Sequence, residues 1–305
     1  MWHISWNKRG RDANIQGVLV FPILEKSDLA AKVYRYVIKA PAIVKKAKAG
    51  QFVILRLNEE GERIPITLAD WDTERGTITL YVQAVGKTTT MMSMMKAGDS
   101  LLDVVGPFGV PSRVEKGQTL VAVGGGFGIA AIHPIVRAHK EIGNRTISVI
   151  GARSKNLLIM EEEMRAISDE VRIATDDGSY GTKGFVTTIL SSMLGQKEPM
   201  DVVLAIGPVV MMKAVSDLTK PHGIRTLVSL NPIMMDGTGM CGACRVVVGD
   251  KMKFACVDGP EFDGHMVDFP LLTARQKMYS PQEKISMEIF NKICQAQEQR
   301  ETAAW

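Results

Sequence analysis

Between Gly17 and about Ser112 the chain carries short runs in which apolar and polar residues alternate or β-branched residues cluster: GVLVFPIL, VYRYVI, FVILRL, TITLYVQAV and SLLDVVG. Turn residues separate them at strand-length intervals, which predicts an antiparallel barrel or sandwich. From about Arg113 the rhythm changes. Apolar runs (TLVAVG, TISVIGA, VRIATDD, DVVLAIG, RTLVSL) now alternate with helical segments such as IHPIVRAHKEIG and MEEEMRAISDE. That alternation implies a doubly wound parallel sheet with helices on both faces. After Leu230 the pattern breaks into Asp-, Gly- and Cys-rich loops up to about Phe269, and the tail restarts as a helix. Ser280 is placed to cap that helix, Pro281 suits its first position, and Glu283 completes a capping box. Ile285, Ile289 and Ile293 fall on one helical face, as in a docked helix. The expected layout is a polar leader (1–16), a barrel (17–112), an α/β domain (113–229), a loop-rich module (230–272) and a helical tail (273–305).

Composition narrows the function classes. The chain has 305 residues, 46% hydrophobic and 23% charged, which suits two ordinary domains plus a small appendage rather than a disordered chain. A net charge of +4 without a Lys/Arg block argues against a nucleic-acid partner. No apolar run reaches the roughly 18 residues of a membrane span, and the first fifteen residues lack the apolar centre of a signal peptide. Three of the four cysteines (Cys241, Cys244, Cys256) lie within sixteen residues of one another. Such clustering points to a metal site in a reducing cytoplasm and not to a disulfide scaffold.

The cysteine segment reads MMDGTGMCGACRVVVGDKMKFACVDGP. Asp236, Cys241 and Cys244 follow the spacing x4 then x2, and eleven residues separate Cys244 from Cys256. This is the plant-type [2Fe–2S] spacing with aspartate in the first cysteine's place. A tight loop lets its ligands surround a cluster, and Gly237, Gly239 and Gly242 permit the dihedrals needed. A zinc site with three cysteines and one aspartate, or buried free thiols, are the other readings of the same residues. Asp236 before a glycine is also a common turn residue. Cys294 reads as an apolar-face thiol on the tail helix.

A second motif, TLVAVGGGFGIAAIHPIV, is a buried strand, a glycine turn and a helix start. Gly124, Gly125, Gly126 and Gly128 would let a pyrophosphate lie against backbone N–H groups, and the alternative is tight strand–helix packing. Ile129 stands where the dinucleotide fingerprint has its third glycine. Arg153 and Lys155 could meet a 2′-phosphate, whereas Asp176 and Asp177 could hold a ribose hydroxyl, so NAD(H) and NADP(H) both remain open. The turns TDDGSYG, with Gly178, and IGPVVMM, with Gly207 and Pro208, sit where such sheets bind ligands. His133 and His139 read as structural, and no residue stands out as a catalytic acid, base or nucleophile.

The order of barrel, GGGFG domain and cysteine loop resembles the ferredoxin–NADP reductase superfamily. More narrowly, it is similar to iron–sulfur flavoproteins related to the electron-transfer subunit of dihydroorotate dehydrogenase. The resemblance covers roughly residues 17–270 and implies a flavin-binding barrel, a nucleotide domain and a [2Fe–2S] module. It assigns flavin contacts to Arg63, Ile64, Pro65, Ile66 and Thr67 of ERIPITLAD, with arginine one place before its usual position. LYVQAVGKTTTMM resembles the segment closing over the flavin, which adds Val82, Gln83, Gly86, Lys87, Thr88 and Thr89; GPFG (106–109) resembles the turn after the barrel. Asp236, the RIPxT motif and GARSKNLLI look most like the small subunits of NADH-dependent ferredoxin:NADP oxidoreductase, also described as sulfide dehydrogenase. The implied protein is an FAD- and [2Fe–2S]-containing oxidoreductase subunit. It would exchange hydride with NAD(P)H and relay single electrons to a larger flavoprotein or iron–sulfur partner, reaching ferredoxin through the complex, in an electron-bifurcating heterodimer or higher assembly. The pyrimidine-pathway electron-transfer subunit is the first alternative, and a zinc-containing, non-enzymatic binding protein is the second.

Overall fold

Residues 20–302 are described by the structure, a computed structural model; the expected polar leader and the start of the first expected strand lie outside them. The strands β1 (Phe21–Ala30), β2 (Val33–Lys39), β3 (Phe52–Arg56), β4 (Ile64–Thr67), β5 (Asp70–Asp72), β6 (Thr77–Gln83), β7 (Ser100–Leu101) and β8 (Asp103–Phe108) form two antiparallel sheets. Their orders are β5-β6-β2-β1-β7 and β4-β3-β8. Along β6, Ile78, Leu80 and Val82 point into the barrel core with Tyr36, Ile38 and Leu55. Tyr81, between two of them, points the other way and packs with Val33 and Ala69 against the second sheet's helices. Period-two alternation therefore makes one strand serve two cores. Two short helices, α1 (Pro41–Val44) and α2 (Lys87–Met94), accompany the barrel. The buried Tyr36 hydroxyl donates to the Met92 carbonyl oxygen at 2.8 Å and fixes α2 in place.

A parallel sheet follows, built from β9 (Thr119–Gly125), β10 (Arg145–Ala152), β11 (Glu170–Thr175), β12 (Thr182–Lys183), β13 (Val202–Ile206) and β14 (Arg225–Ser229). The helices α3 (Gly128–Glu141), α4 (Glu161–Ile167), α5 (Val186–Gly195) and α6 (Val209–Thr219) connect them. In β9, Leu120 and Ala122 pack toward α3 and α4, while Val121 and Val123 pack toward α5 and α6. A strand buried on both faces has no polar side, which is why its sequence reads as continuously apolar. The order β12-β11-β10-β9-β13-β14 reverses direction between β9 and β13, so a crevice opens at their carboxyl ends.

The C-terminal segment contributes β15 (Arg245–Val248), β16 (Lys251–Phe254), the short α7 (Ala255–Asp258), β17 (Glu261–Asp263), α8 (Phe269–Gln276) and α9 (Ser280–Thr302). β15 and β16 form the hairpin expected to return Cys256. β17 adds antiparallel to β14, so the third segment finishes the second segment's sheet. The tail departs from expectation in two ways. The Glu283 N–H donates to the Tyr279 carbonyl oxygen at 2.9 Å, so helical bonding starts one residue ahead of the expected capping box. Lys277–Tyr279 already turn as they leave α8, which removes the extended entry that a serine cap requires. Ile285, Ile289 and Ile293 do share a face, but it points outward at 57%, 54% and 49% exposure. The opposite stripe of Met287, Phe290 and Cys294 is the half-buried one. Among the described residues no helix is long and apolar enough to cross a membrane.

Candidate functional site

Three loop clusters carry the predicted site residues. At the barrel, β4 (Ile64–Thr67) is an edge strand with all four residues half-buried, and Pro65 opposes Ile54 of β3. An edge tolerates a proline because one row of its backbone groups needs no ladder partner. Arg63, just before it, is exposed. At the end of β6, Val82 is buried and Gln83 exposed. Next comes the N-terminus of α2. Thr89 Oγ1 accepts from the N–H groups of Val85 and Gly86 at 3.1 and 3.0 Å, which shapes the turn. Nothing lies within 4 Å of where a Gly86 Cβ would be, so the space beside the start of α2 is open at this position. Lys87 and Thr88 line a cavity of about 70 Å³ there, opposite Asn58 and Glu62. The Asn58 Oδ1 is buried and unpartnered among the described residues, and the Thr88 hydroxyl donates to Glu62 at 2.6 Å. A helix N-terminus with a lysine suits a diphosphate, whereas Glu62 opposes one.

At the sheet, the glycines divide by role. A Cβ on Gly128 would lie 1.9 Å from the Ile206 carbonyl oxygen, and one on Gly124 would meet Ile132 and Ile129. Gly125 abuts Met211. These three are glycines because helix and sheet touch there. Gly126 differs: its φ is +54° and nothing lies within 4 Å of its missing Cβ. Its N–H donates to the Gly151 carbonyl oxygen at 2.7 Å, while Ile129 is buried at the start of α3. Gly207 approaches the Gly125 backbone, so the turns that follow β9 and β13 meet at the carboxyl ends where the sheet order reverses. Arg153 and Asp177 are neighbours, because the Asp177 N–H donates to the Arg153 carbonyl oxygen at 3.2 Å. Asp176 is exposed beside them, and Gly178 turns at φ +77°. Hydrogen bonds from Ser179 hold the Asp177 carboxyl below its ordinary value. Lys155 lies over the Tyr180 ring at 4.9 Å, a contact with no sequence signal because the two residues come from different loops.

The cysteine loop packs on the barrel. Gly237, at φ +76°, leaves room for the Phe108 ring of GPFG, which would lie 2.6 Å from a Cβ. Cys244 and Cys256 are buried with their Sγ atoms 3.2 Å apart, whereas Cys241 is exposed. Burial and the adjacent Cys244 thiol push the Cys256 thiol up to about 12. Asp236 Oδ1 accepts from the Thr238 N–H at 2.9 Å and Oδ2 from the Cys241 N–H at 2.8 Å, which lowers its pKa. The loop thus brings the residues together as two pairs, Asp236 with Cys241 and Cys244 with Cys256. Three soft thiols and one hard carboxylate on a loop whose glycines 237, 239 and 242 all have positive φ match the donor types of a two-iron group, while among the described residues no three of these side chains converge. Cys294 lies apart from them, on α9.

The lobes meet through long-range contacts that the sequence motifs do not announce. Arg137 of α3 pairs with Asp70 of β5 and lies over the Trp71 ring, and His133 Nδ1 is 3.1 Å from the Ala69 carbonyl oxygen. Phe52 and Ile54 of the barrel share one core with Val209 of α6 and with Cys244 and Cys256.

Comparison with known proteins gives the relatives. Residues 231–268 match a family described as the iron-sulfur cluster binding domain of dihydroorotate dehydrogenase B. The chain is 49% identical over 276 residues to a dihydroorotate dehydrogenase B (NAD(+)) electron transfer subunit homolog from Thermotoga maritima, covering 90% of this chain and 97% of that protein. It is 32% identical to the electron transfer subunit from Bacillus pumilus, covering 80% and 96%. Among solved structures, a chain of the NADH-dependent reduced ferredoxin-NADP oxidoreductase superposes with a TM-score of 0.84 at 47% identity, covering 90% of this chain and 99% of that one. A ferredoxin NADP+ reductase from Neisseria gonorrhoeae, with bound FAD and NADP, superposes at 0.58 and 18% identity, covering 67% and 91%, a likeness of fold alone.

Proposed function

This chain belongs to the family of dihydroorotate dehydrogenase B electron-transfer subunits, and on that premise we propose that it passes electrons from NAD(P)H through FAD and a [2Fe–2S] cluster to a larger flavoprotein partner. When bound, the two groups would supply hydride acceptance and its division into single electrons. The chain's own residues bind and orient. The α2 N-terminus, with Gly86, Lys87 and Thr88, takes the FAD diphosphate, and β4 from Pro65 to Thr67 borders the ring system. Gly126 and the α3 N-terminus take the pyrophosphate of the nicotinamide coenzyme, with Gly207 and Pro208 closing the crevice. Arg153, Lys155, Asp176 and Asp177 meet its adenosine end. Cys241, Cys244 and Cys256, with Asp236, hold the cluster.

The observation that carries this reading is the shared core in which Cys244 and Cys256 pack with barrel and nucleotide-sheet side chains. A relay needs its donor, acceptor and coenzyme within one rigid unit, and here no linker separates them. Two assemblies are in question. The likeness to the ferredoxin-NADP oxidoreductase chain, together with Asp236, favours a bifurcating complex that reaches ferredoxin through its partner. The names of the sequence relatives favour dihydroorotate as the partner's substrate. Three clustered free thiols suit the cytoplasm.

Anaerobic purification followed by an absorbance spectrum and counts of flavin, iron and sulfide tests the reading. Flavin with two irons and two sulfides per chain is expected. One zinc per chain without flavin would overturn it. Oxidation of dihydroorotate by the purified complex, against reduction of ferredoxin, separates the two assemblies.

A further inference from the structure

Arg275 of α8 sits directly behind the cysteine loop. Its Nη2 donates to the Ala243 carbonyl oxygen at 3.1 Å, and Ala243 immediately precedes Cys244. The Nε of the same guanidinium is buried and has no hydrogen-bond partner among the described residues, and no carboxylate pairs with the group there. Other cations nearby are handled differently. Lys253 faces Asp258 at 3.4 Å, and Arg245 is exposed to water. A guanidinium stays charged at every working pH; the Arg275 side chain is half-buried, yet its Nε is shut off from water without an acceptor, an arrangement that a nearby anion would make favourable. The missing anion has a natural source in the loop that Arg275 touches. Three thiolates and a carboxylate on a [2Fe–2S] core make a dianion when oxidised and a trianion when reduced.

We propose that Arg275 is a positioning residue that sets the cluster's reduction potential, its fixed charge beside the Ala243–Cys244 peptide favouring the reduced form. The inference rests on the electron-transfer reading of the loop. Reduction brings one electron from the flavin and adds one negative charge, so a nearby cation stabilises the product more than the reactant. Removing that cation lowers the midpoint. The Ala243 bond alone would only hold the loop in place, and charge-conserving and charge-removing variants separate the two roles.

The test is a potentiometric titration of the iron-loaded protein in its complex, followed by absorbance and by the paramagnetic signal of the reduced cluster. Arg275→Gln is expected to lower the reduced-to-oxidised ratio about tenfold at fixed ambient potential, a shift of about 59 mV for one electron. Arg275→Lys is expected to stay within about threefold of the unsubstituted protein. In Arg275→His the midpoint should rise as pH falls through about 6.5, relative to the unsubstituted protein over the same range. An unchanged midpoint in Arg275→Gln overturns the proposal, as does an equal fall in the Gln and Lys proteins. If the Gln protein does not fold, the His protein decides, and a midpoint with no added pH dependence overturns the proposal. Purified chain without iron or sulfide would instead overturn the electron-transfer reading, an outcome distinct from a flat midpoint in loaded protein.

Discussion

At the scale of single residues, the four glycines of GGGFG separate packing from binding. Gly128→Ala places a methyl against the Ile206 carbonyl, and backbone cannot yield as a flexible side chain can. Overpacking of that kind costs about 3 kcal/mol, to be read in a denaturant titration. Gly126→Ala meets open space but needs φ +54°, a strain of about 1 kcal/mol. It should leave stability nearly intact and weaken NADH binding several-fold by calorimetry, because the methyl enters the volume the coenzyme would occupy. Glu62 gives a second contrast. Removing its charge from beside Lys87 and Thr88 in Glu62→Gln should tighten FAD binding about tenfold, measured by flavin fluorescence quenching, since like charges no longer meet across the cavity.

Elements bring in burial and pH. On α9 the outward Ile289 should accept lysine at a cost under about 0.5 kcal/mol, whereas Phe290→Ala on the inward stripe should cost about 1–2 kcal/mol. Thermal unfolding of the two variants checks which face docks. On α3, burial lowers the pKa of both His133 and His139. The unfolded chain binds these protons near pH 6.5 and the folded chain only at lower pH, so the stability tied to their neutral forms is present above about pH 6.5 and lost below it. The Asn144 amide donates to His139 Nδ1, a bond that protonation there would break. The fall in melting temperature between pH 7.5 and 5.5 should therefore shrink in a protein with both histidines changed to glutamine.

The whole molecule is held by contacts that cross the three lobes. Phe108 leaves the barrel at GPFG, meets the Phe52 ring in a tilted contact with centroids 6.0 Å apart, and lies over Gly237 of the cysteine loop. Gly237→Ala would drive a methyl into that ring at a positive φ and should release iron while flavin stays bound, as metal and flavin analysis of the same sample would record. β17 completes the parallel sheet, so truncation before Glu261 should destabilise the nucleotide-binding half along with the cysteine loop.

The sequence by itself determined what depends on local chemistry and short periods. Alternation marked the barrel strands, continuous apolar runs marked the doubly covered sheet, and the spacing of Asp236, Cys241 and Cys244 marked a candidate ligand loop before any contact was known. α5 and α6 were less legible, since Val209 to Met212 read as a turn until the sheet supplied the surface that makes them helical. Tertiary structure alone decided the rest. It assigned Gly124 and Gly128 to packing, turned the isoleucine stripe of α9 outward, and set Arg275 behind Ala243 across 32 residues of chain. It also joined Arg137 to Asp70 and Phe108 to Gly237. Such pairings follow from long-range packing, where a residue's role is fixed by whichever distant atoms reach it, and a local pattern carries no record of them.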